Sequence, residues 1–310
     1  MPAANPVYRI GDVSITRIDE MVLRGAPPER LYPDAGPAAW AHHLDRLGPG
    51  SFDRNGATLV QSTHCWLLRT PRHVILIDSA TGNDKERPAA PALHRLQEPF
   101  LQRLAAAGVQ PDDVDFVLLS HIHSDHVGWN TVLRNGEWKP TFRRARHVVS
   151  AMENAYNASL ERGEQPDPGK VAPGLGAMRS RPAPGVYTDS VLPVLEAGLV
   201  DLIAVDGHEV VDGLSYLPTP GHSIDHASIR LVSAGEEALF GGDIMHHPLQ
   251  VYEPGLNSCY CEFPEAATRS RKWALDEVAT RDIPLFTTHF AETSVGRVRR
   301  EADGFGWSFI

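Results

Sequence analysis

Residues 118–129 read LLSHIHSDHVGW, placing His121, His123, Asp125 and His126 directly behind an apolar run. One histidine at a strand end is an ordinary polar residue. Four imidazole and carboxylate groups this close repel one another, or stay unpaired, unless a cation sits between them, and a metal ion is the natural candidate. His121 and His123 lie two apart, so on extended backbone their side chains project the same way and can grip one ion. Asp125 and His126 are adjacent and diverge, which suits a second ion beside the first; metals about 3.5–4 Å apart can hold a nucleophile between them.

Working outward, the stretch before the motif predicts a helix from Pro99 through FLQRLAAAG to a stop at Gly108, then the strand DFVLLS. The motif therefore occupies the loop after a buried strand, where α/β proteins carry their chemistry. Further upstream, WLLRT and HVILIDSATG read as two buried strands, the second ending at Asp78. Residues 7–18 suggest a strand pair turning at Gly11 and Asp12. Residues 24–56 are rich in Pro, Gly and isolated aromatics and read as a long lid loop, and 157–186 as an insertion. In the second half, SYLPTPGH, the hairpin ASIRLVSAGEEALFGGD and the run IPLFTTH end in His222, Asp243 and His289, with a helix expected over 264–280. No short repeat runs through the chain.

The pattern His-x-His-x-Asp-His at 121–126, followed in order by His222, Asp243 and His289, resembles the metallo-β-lactamase superfamily. The resemblance spans nearly the whole chain and implies one domain over 1–310. Its fold would be a four-layer αβ/βα sandwich, two mixed β-sheets flanked by helices, with a dinuclear zinc site at one edge. It implies that His121, His123 and His222 hold one Zn²⁺, that Asp125, His126 and His289 hold the other, and that Asp243 bridges them. Asp78 matches the superfamily's strand-end aspartate, which supports the motif loop. His226, four residues after His222, reads as a buttress for a ligating ring.

Two zinc ions lower the pKa of a shared water towards roughly 7, so the expected chemistry is hydrolysis by a metal-bound hydroxide oriented by Asp125. An aspartate at the bridging position sets the chain apart from the zinc β-lactamases. Its opening YRIGDVSITRIDEM and its ending READGFGWSF are closest in pattern to methyl parathion hydrolase and related lactonases. The expected substrate is a small, largely apolar lactone, ester or phosphotriester. Hydrolytic displacement on another electrophile, as in a hydrolytic dehalogenase, and β-lactamase-like amide hydrolysis are the alternatives. Lactonases of this branch carry a tyrosine three residues after the bridging aspartate; here that position is His246, an expected proton donor to the leaving group. Trp66, Trp129 and Tyr252 adjoin ligand-bearing segments and are the expected substrate-binding aromatics.

The formal net charge of -10 argues against nucleic acid as a partner, and Arg143, Arg144 and Arg146 read as a solvated basic cluster. No run of eighteen apolar residues and no leader pattern is visible, so no membrane partner and a cytoplasmic location are expected. The three cysteines, with Cys259 and Cys261 one residue apart, read as reduced thiols. The partner is thus a small molecule, and a homodimer is left open.

Overall fold

A computed structural model describes residues 6–310. The first half of the chain forms β1 (Val7–Ile10), β2 (Val13–Ala26), β3 (Phe52–Asp53), β4 (Thr58–Arg69), β5 (Val74–Ile77), β6 (Phe116–Leu118), β7 (Thr131–Arg134), β8 (Glu137–Pro140), β9 (Arg146–Ser150) and β10 (Val200–Ile203). The second half adds β11 (Glu209–Val211), β12 (Leu214–Pro218), β13 (Ala227–Ser233), β14 (Glu236–Phe240), β15 (Leu285–Phe286), β16 (Val295–Glu301) and β17 (Gly304–Phe309). The first sheet runs β1-β2-β4-β5-β6-β9-β10, with β3 on β4; the second runs β11 to β17 in chain order. Both sheets are mixed, β5, β6, β9 and β10 pairing in parallel and β14 running parallel to β15.

The side-chain period of two explains why the strand sequences look uniformly apolar. On β4, Trp66 and Leu68 join Ile75, Ile77 and Leu118 in the core between the sheets, facing Tyr216, Ile229, Phe240 and Phe286 of the second sheet. The alternate residues Cys65, Leu67, Leu76 and Val117 point outward beneath Phe100 and Leu104 of the helix Phe100–Ala106. The second sheet is covered in turn by Ala274, Leu275 and Val278 of the helix Pro264–Arg281. This helix, sheet, sheet, helix order is the four-layer sandwich expected from the sequence.

Several local expectations need correction. Pro99 stands just before the helix, which begins at Phe100 and ends at Ala106. The stretch 24–56 is not one open loop. It starts inside β2, contains the helix Pro28–Leu31, two turns of 3-10 helix at Pro37–Ala39 and Ala41–Arg46, and β3. Leu31, Tyr32, Trp40, Leu47 and Phe52 bury against the second sheet's helix layer, because apolar side chains spaced through a polar stretch can each find that layer. Likewise 157–186 begins within the helix Ala151–Glu161 and includes the helix Pro168–Val171. No helix of the described residues is long and apolar enough to cross a membrane.

Candidate metal centre

The loops that leave β6, β12, β14 and β15 meet at one edge of the sandwich. His121, His123, Asp125 and His126 follow β6, His222 follows β12, Asp243 follows β14, and His289 follows β15. Two glycines shape this edge. Gly242 has φ +55°, and a Cβ there would stand 2.5 Å from His226 Nε2; Gly221 has φ +126°, and its Cβ would meet the backbone nitrogen of Ala267 at 2.0 Å. Both positions therefore require glycine, and each sits beside a candidate ligand.

Outer partners assign a proton to the Nδ1 atoms of His121, His126 and His289. Asp78 accepts from His126 Nδ1 at 2.9 Å, from the Ser120 backbone N–H at 2.8 Å and from Ser120 Oγ at 2.9 Å. With its own proton given to Asp78, Ser120 Oγ can only accept from His121 Nδ1, 3.0 Å away. His289 Nδ1 donates to the carbonyl of Ser62 at 2.9 Å. Each of these rings thus turns the lone pair of Nε2 inward. There His126 Nε2 lies 3.2 Å from Asp243 Oδ1, and His289 Nε2 lies 3.1 Å from Asp243 Oδ2 and 3.6 Å from Asp125 Oδ2.

On the other side His222 Nε2 is 3.2 Å from Asp243 Oδ2 and 2.8 Å from His123 Nδ1, and His123 Nε2 meets Glu262 Oε1 at 2.8 Å. His121 Nε2, His126 Nε2 and Asp243 Oδ1 are buried and have no hydrogen-bond partner among the described residues. Acceptors facing acceptors in a dry cluster are unfavourable unless a cation lies among them. Four sets of donor atoms lie close enough to share an ion: His121 with His123 and His222; His121 with His126 and Asp243; Asp125 with His126 and His289; and His222 with Asp243 and His246. The residues present therefore fit a pair of divalent cations with nitrogen-rich, tetrahedral preference, such as zinc.

The electrostatics follow the same geometry. Burial, then the neighbouring rings, pushes His121 well below the usual histidine range, and burial does the same to His222. Burial opposes charge on Asp243, yet the rings of His126, His289, His222 and His246 hold its carboxyl well below the usual range. For His126 burial is outweighed by Asp243, Asp78 and Asp125, which raise it. A proton or a metal ion at Nε2 would satisfy the same field.

His226 is a buttress of a different kind from the one expected. Its Nε2 accepts the backbone N–H of Asp243 at 2.8 Å, and its Nδ1 turns to the carbonyl of Thr219 at 3.0 Å. It therefore fixes the Asp243 backbone by hydrogen bond and meets the candidate ligand rings of His121 and His222 only by packing, at 5.1 and 5.8 Å between centroids. His246 lies inside the cluster, its Nε2 3.3 Å from Asp243 Oδ2 and its Nδ1 without a hydrogen-bond partner among the described residues. Gln250 Oε1 accepts its backbone N–H at 2.6 Å.

The three expected substrate aromatics lie elsewhere. Trp66 is in the inter-sheet core and donates to the carbonyl of Thr287 at 3.1 Å; Trp129 stacks on Phe100 at 5.2 Å and donates to the buried Glu20 at 2.8 Å. Tyr252 packs under the guanidinium of Arg46 at 4.0 Å, beside the 24–56 stretch. The aromatic that does stand at the cluster is Tyr260, 54% exposed, with its ring 5.6 Å from that of His246. It belongs to the segment Ser258–Glu262, as does Glu262. Neither carried a spacing or periodicity that marked it in the sequence.

Residues 59–289 match the metallo-beta-lactamase superfamily, and the chain belongs to that superfamily. It is similar to an N-acyl homoserine lactonase of Bacillus thuringiensis, 25% identical over 198 residues that make up 60% of this chain and 64% of the lactonase. The match thus spans just under two thirds of that relative. Among solved structures it is similar to the hydrolase AbOPH, with a TM-score of 0.79, 23% identity and coverage of 100% and 98% of the two chains. It is also similar to AidC, a dizinc quorum-quenching lactonase, with a TM-score of 0.76, 18% identity and coverage of 99% and 97%. At these identities the structural likeness is one of fold.

Proposed function

We propose that this member of the metallo-β-lactamase superfamily is a hydrolase that carries two zinc ions and opens a small, largely apolar lactone, ester or phosphotriester. The observation behind the reading is the set of inner nitrogens of His126 and His289 against Asp243 at 3.2 and 3.1 Å, beside Asp125 and the ring of His121, an arrangement that divalent cations would satisfy. His121, His123 and His222 are assigned to one ion, Asp125, His126 and His289 to the other, and Asp243 to both. When bound, such ions supply a water nucleophile at neutral pH and polarise the oxygen of the scissile group.

The remaining tasks fall to the chain's own side chains. Asp125 is the more open of the two cluster carboxylates, at 20% against 3% for Asp243, so it orients the attacking water. Tyr260 offers an apolar wall on that open side. His246 Nε2, which reaches Asp243 Oδ2, is placed to hand a proton to the departing oxygen. The likeness to a lactonase supports a cyclic ester as one substrate class.

The test is zinc content together with kcat/KM on a panel of acyl lactones, aryl esters and phosphotriesters. Protein holding about two zinc ions should turn over members of the panel. His246→Ala should lower kcat/KM on an alkyl lactone by about 10²–10⁴-fold and on a nitrophenyl ester much less, because a good leaving group needs no proton. A fully loaded protein inert to the whole panel would sink the reading, and equal losses on both substrates would remove His246 as the acid.

A further inference from the structure

The segment Ser258–Glu262 touches the candidate first ion site from outside at two points. Cys261 Sγ lies 4.0 Å from His222 Nδ1, and Glu262 Oε1 accepts from His123 Nε2 at 2.8 Å. The segment is bolted to the His222 loop itself: the backbone N–H of Glu262 donates to the carbonyl of His222 at 2.9 Å, and that of Phe263 to the carbonyl of Gly221 at 2.8 Å. Arg179 closes the segment from the far side, its backbone N–H donating to Glu262 O at 2.7 Å and its guanidinium to Ser258 O at 2.8 Å.

Glu262 is 1% exposed, and no donor among the described residues reaches its second oxygen, Oε2. A buried carboxylate with one free oxygen is costly unless its charge is used. The single hydrogen bond it accepts comes from a ring whose other nitrogen points into the cluster, 2.8 Å from His222 Nε2. With the proton on Nε2 drawn to the carboxylate, the lone pair of His123 Nδ1 is turned inward and made more basic. His123 is therefore inverted relative to His121, His126 and His289, whose Nε2 atoms face inward.

We infer that Glu262 is a positioning residue: by accepting the Nε2 proton it selects the tautomer and orientation of His123, so that Nδ1 binds the first of the two ions. The inference rests on the two-ion reading above. It divides the support of the site between two anchors. Asp78 orients His126 directly and His121 through Ser120, whereas Glu262, from a segment more than a hundred residues later, orients His123 and ties it to His222.

The experiment compares zinc-loaded wild type with Glu262→Gln, which keeps the volume and one acceptor but removes the charge. Glu262→Ala serves as the stronger variant. Each is titrated with a chelator while bound zinc is measured, and each is then reloaded with Co²⁺ and its visible absorption recorded. Loss of a ligand's carboxylate partner costs about 10–100-fold in metal affinity. Glu262→Gln should thus release one ion at a chelator concentration lower by about that factor and keep the other at the wild-type value, with an altered Co²⁺ band. Melting of the metal-stripped proteins supplies a readout that separates packing from positioning. Release of both ions at wild-type chelator concentration, with or without a change in melting, would overturn the inference. A wild type that never holds two ions would instead overturn the two-ion reading.

Discussion

Among the buried charged side chains of the described residues, two groups differ in how donors and acceptors balance. Away from the histidines, Lys85 Nζ donates to Thr131 Oγ1 at 2.6 Å and to the carbonyl of Asp189 at 2.9 Å, and lies 3.6 Å above the ring of Trp138. Arg87 grips the Asp189 carboxylate with both terminal nitrogens, at 2.6 and 2.8 Å. Apart from Arg87 Nε, every donor there meets an acceptor. Burial still pulls Lys85 down to about 7, with Asp189 opposing it. In the histidine cluster the outer nitrogens of His121, His123, His126 and His289 have partners too, but the inner atoms are acceptors facing acceptors. Burial and charge are common to both groups. What separates a structural cluster from a candidate metal centre is the source of positive charge: Lys85 and Arg87 supply it beside Asp189, whereas the atoms facing one another among the histidines are ring nitrogens and carboxylate oxygens.

That contrast can be broken most severely at Asp243. Asp243→Ala removes the carboxylate assigned above to both ions, so on that assignment zinc content should drop well below two per chain. Hydrolysis should fall by about 10³-fold or more, since the ions provide nucleophile and charge stabilisation together. Elemental analysis with assays on the lactone panel checks both, and a variant retaining two ions would contradict the bridging assignment.

Asp189→Ala should do the reverse. Removing the partner of Lys85 and Arg87 leaves buried charge uncompensated, which costs about 3–5 kcal/mol of stability, while zinc content stays at the wild-type value. Denaturant melts and metal analysis on the same sample test it. Loss of metal without loss of stability would erase the distinction between the clusters.

A smaller effect isolates burial away from any buried carboxylate. His147 is 1% exposed, and burial, opposed by the backbone of Leu199 and Ala145, brings its pKa down to about 4. Its folded value lies below its unfolded one, so the unfolded chain binds the extra proton between the two. The stability it contributes is complete above about 6.5 and is lost as pH falls towards 4. Between pH 7 and 5 that is about 2 kcal/mol. His147→Leu should shrink the acid loss of stability of the metal-stripped protein by about that much, measured by denaturant melts at the two pH values. An unchanged pH slope would show that this ring is charged in the fold.

The sequence by itself carried the order of candidate ligands, which is written in contiguous signals, and through the resemblance those residues bear it implied the sandwich. A ligand cluster packed into six positions is visible without a structure, and so are apolar runs that stop at His222, Asp243 and His289. Asp78 was legible for the same reason, as the polar residue that ends a buried strand. The tertiary structure alone decided what stands around them. Trp66 adjoins site-bearing elements in sequence, yet strand alternation turns it into the inter-sheet core. Tyr252 is nine residues from Asp243 but packs beneath Arg46. Glu262 and Tyr260 reach the cluster because two backbone hydrogen bonds fasten their segment to Gly221 and His222, about forty residues away in the chain. Periodicity reports which side of its own element a residue occupies. It says nothing of which distant loop will be folded against that side, and those long-range contacts determine the proton position on His123, the role of His226 and the aromatic at the mouth of the site.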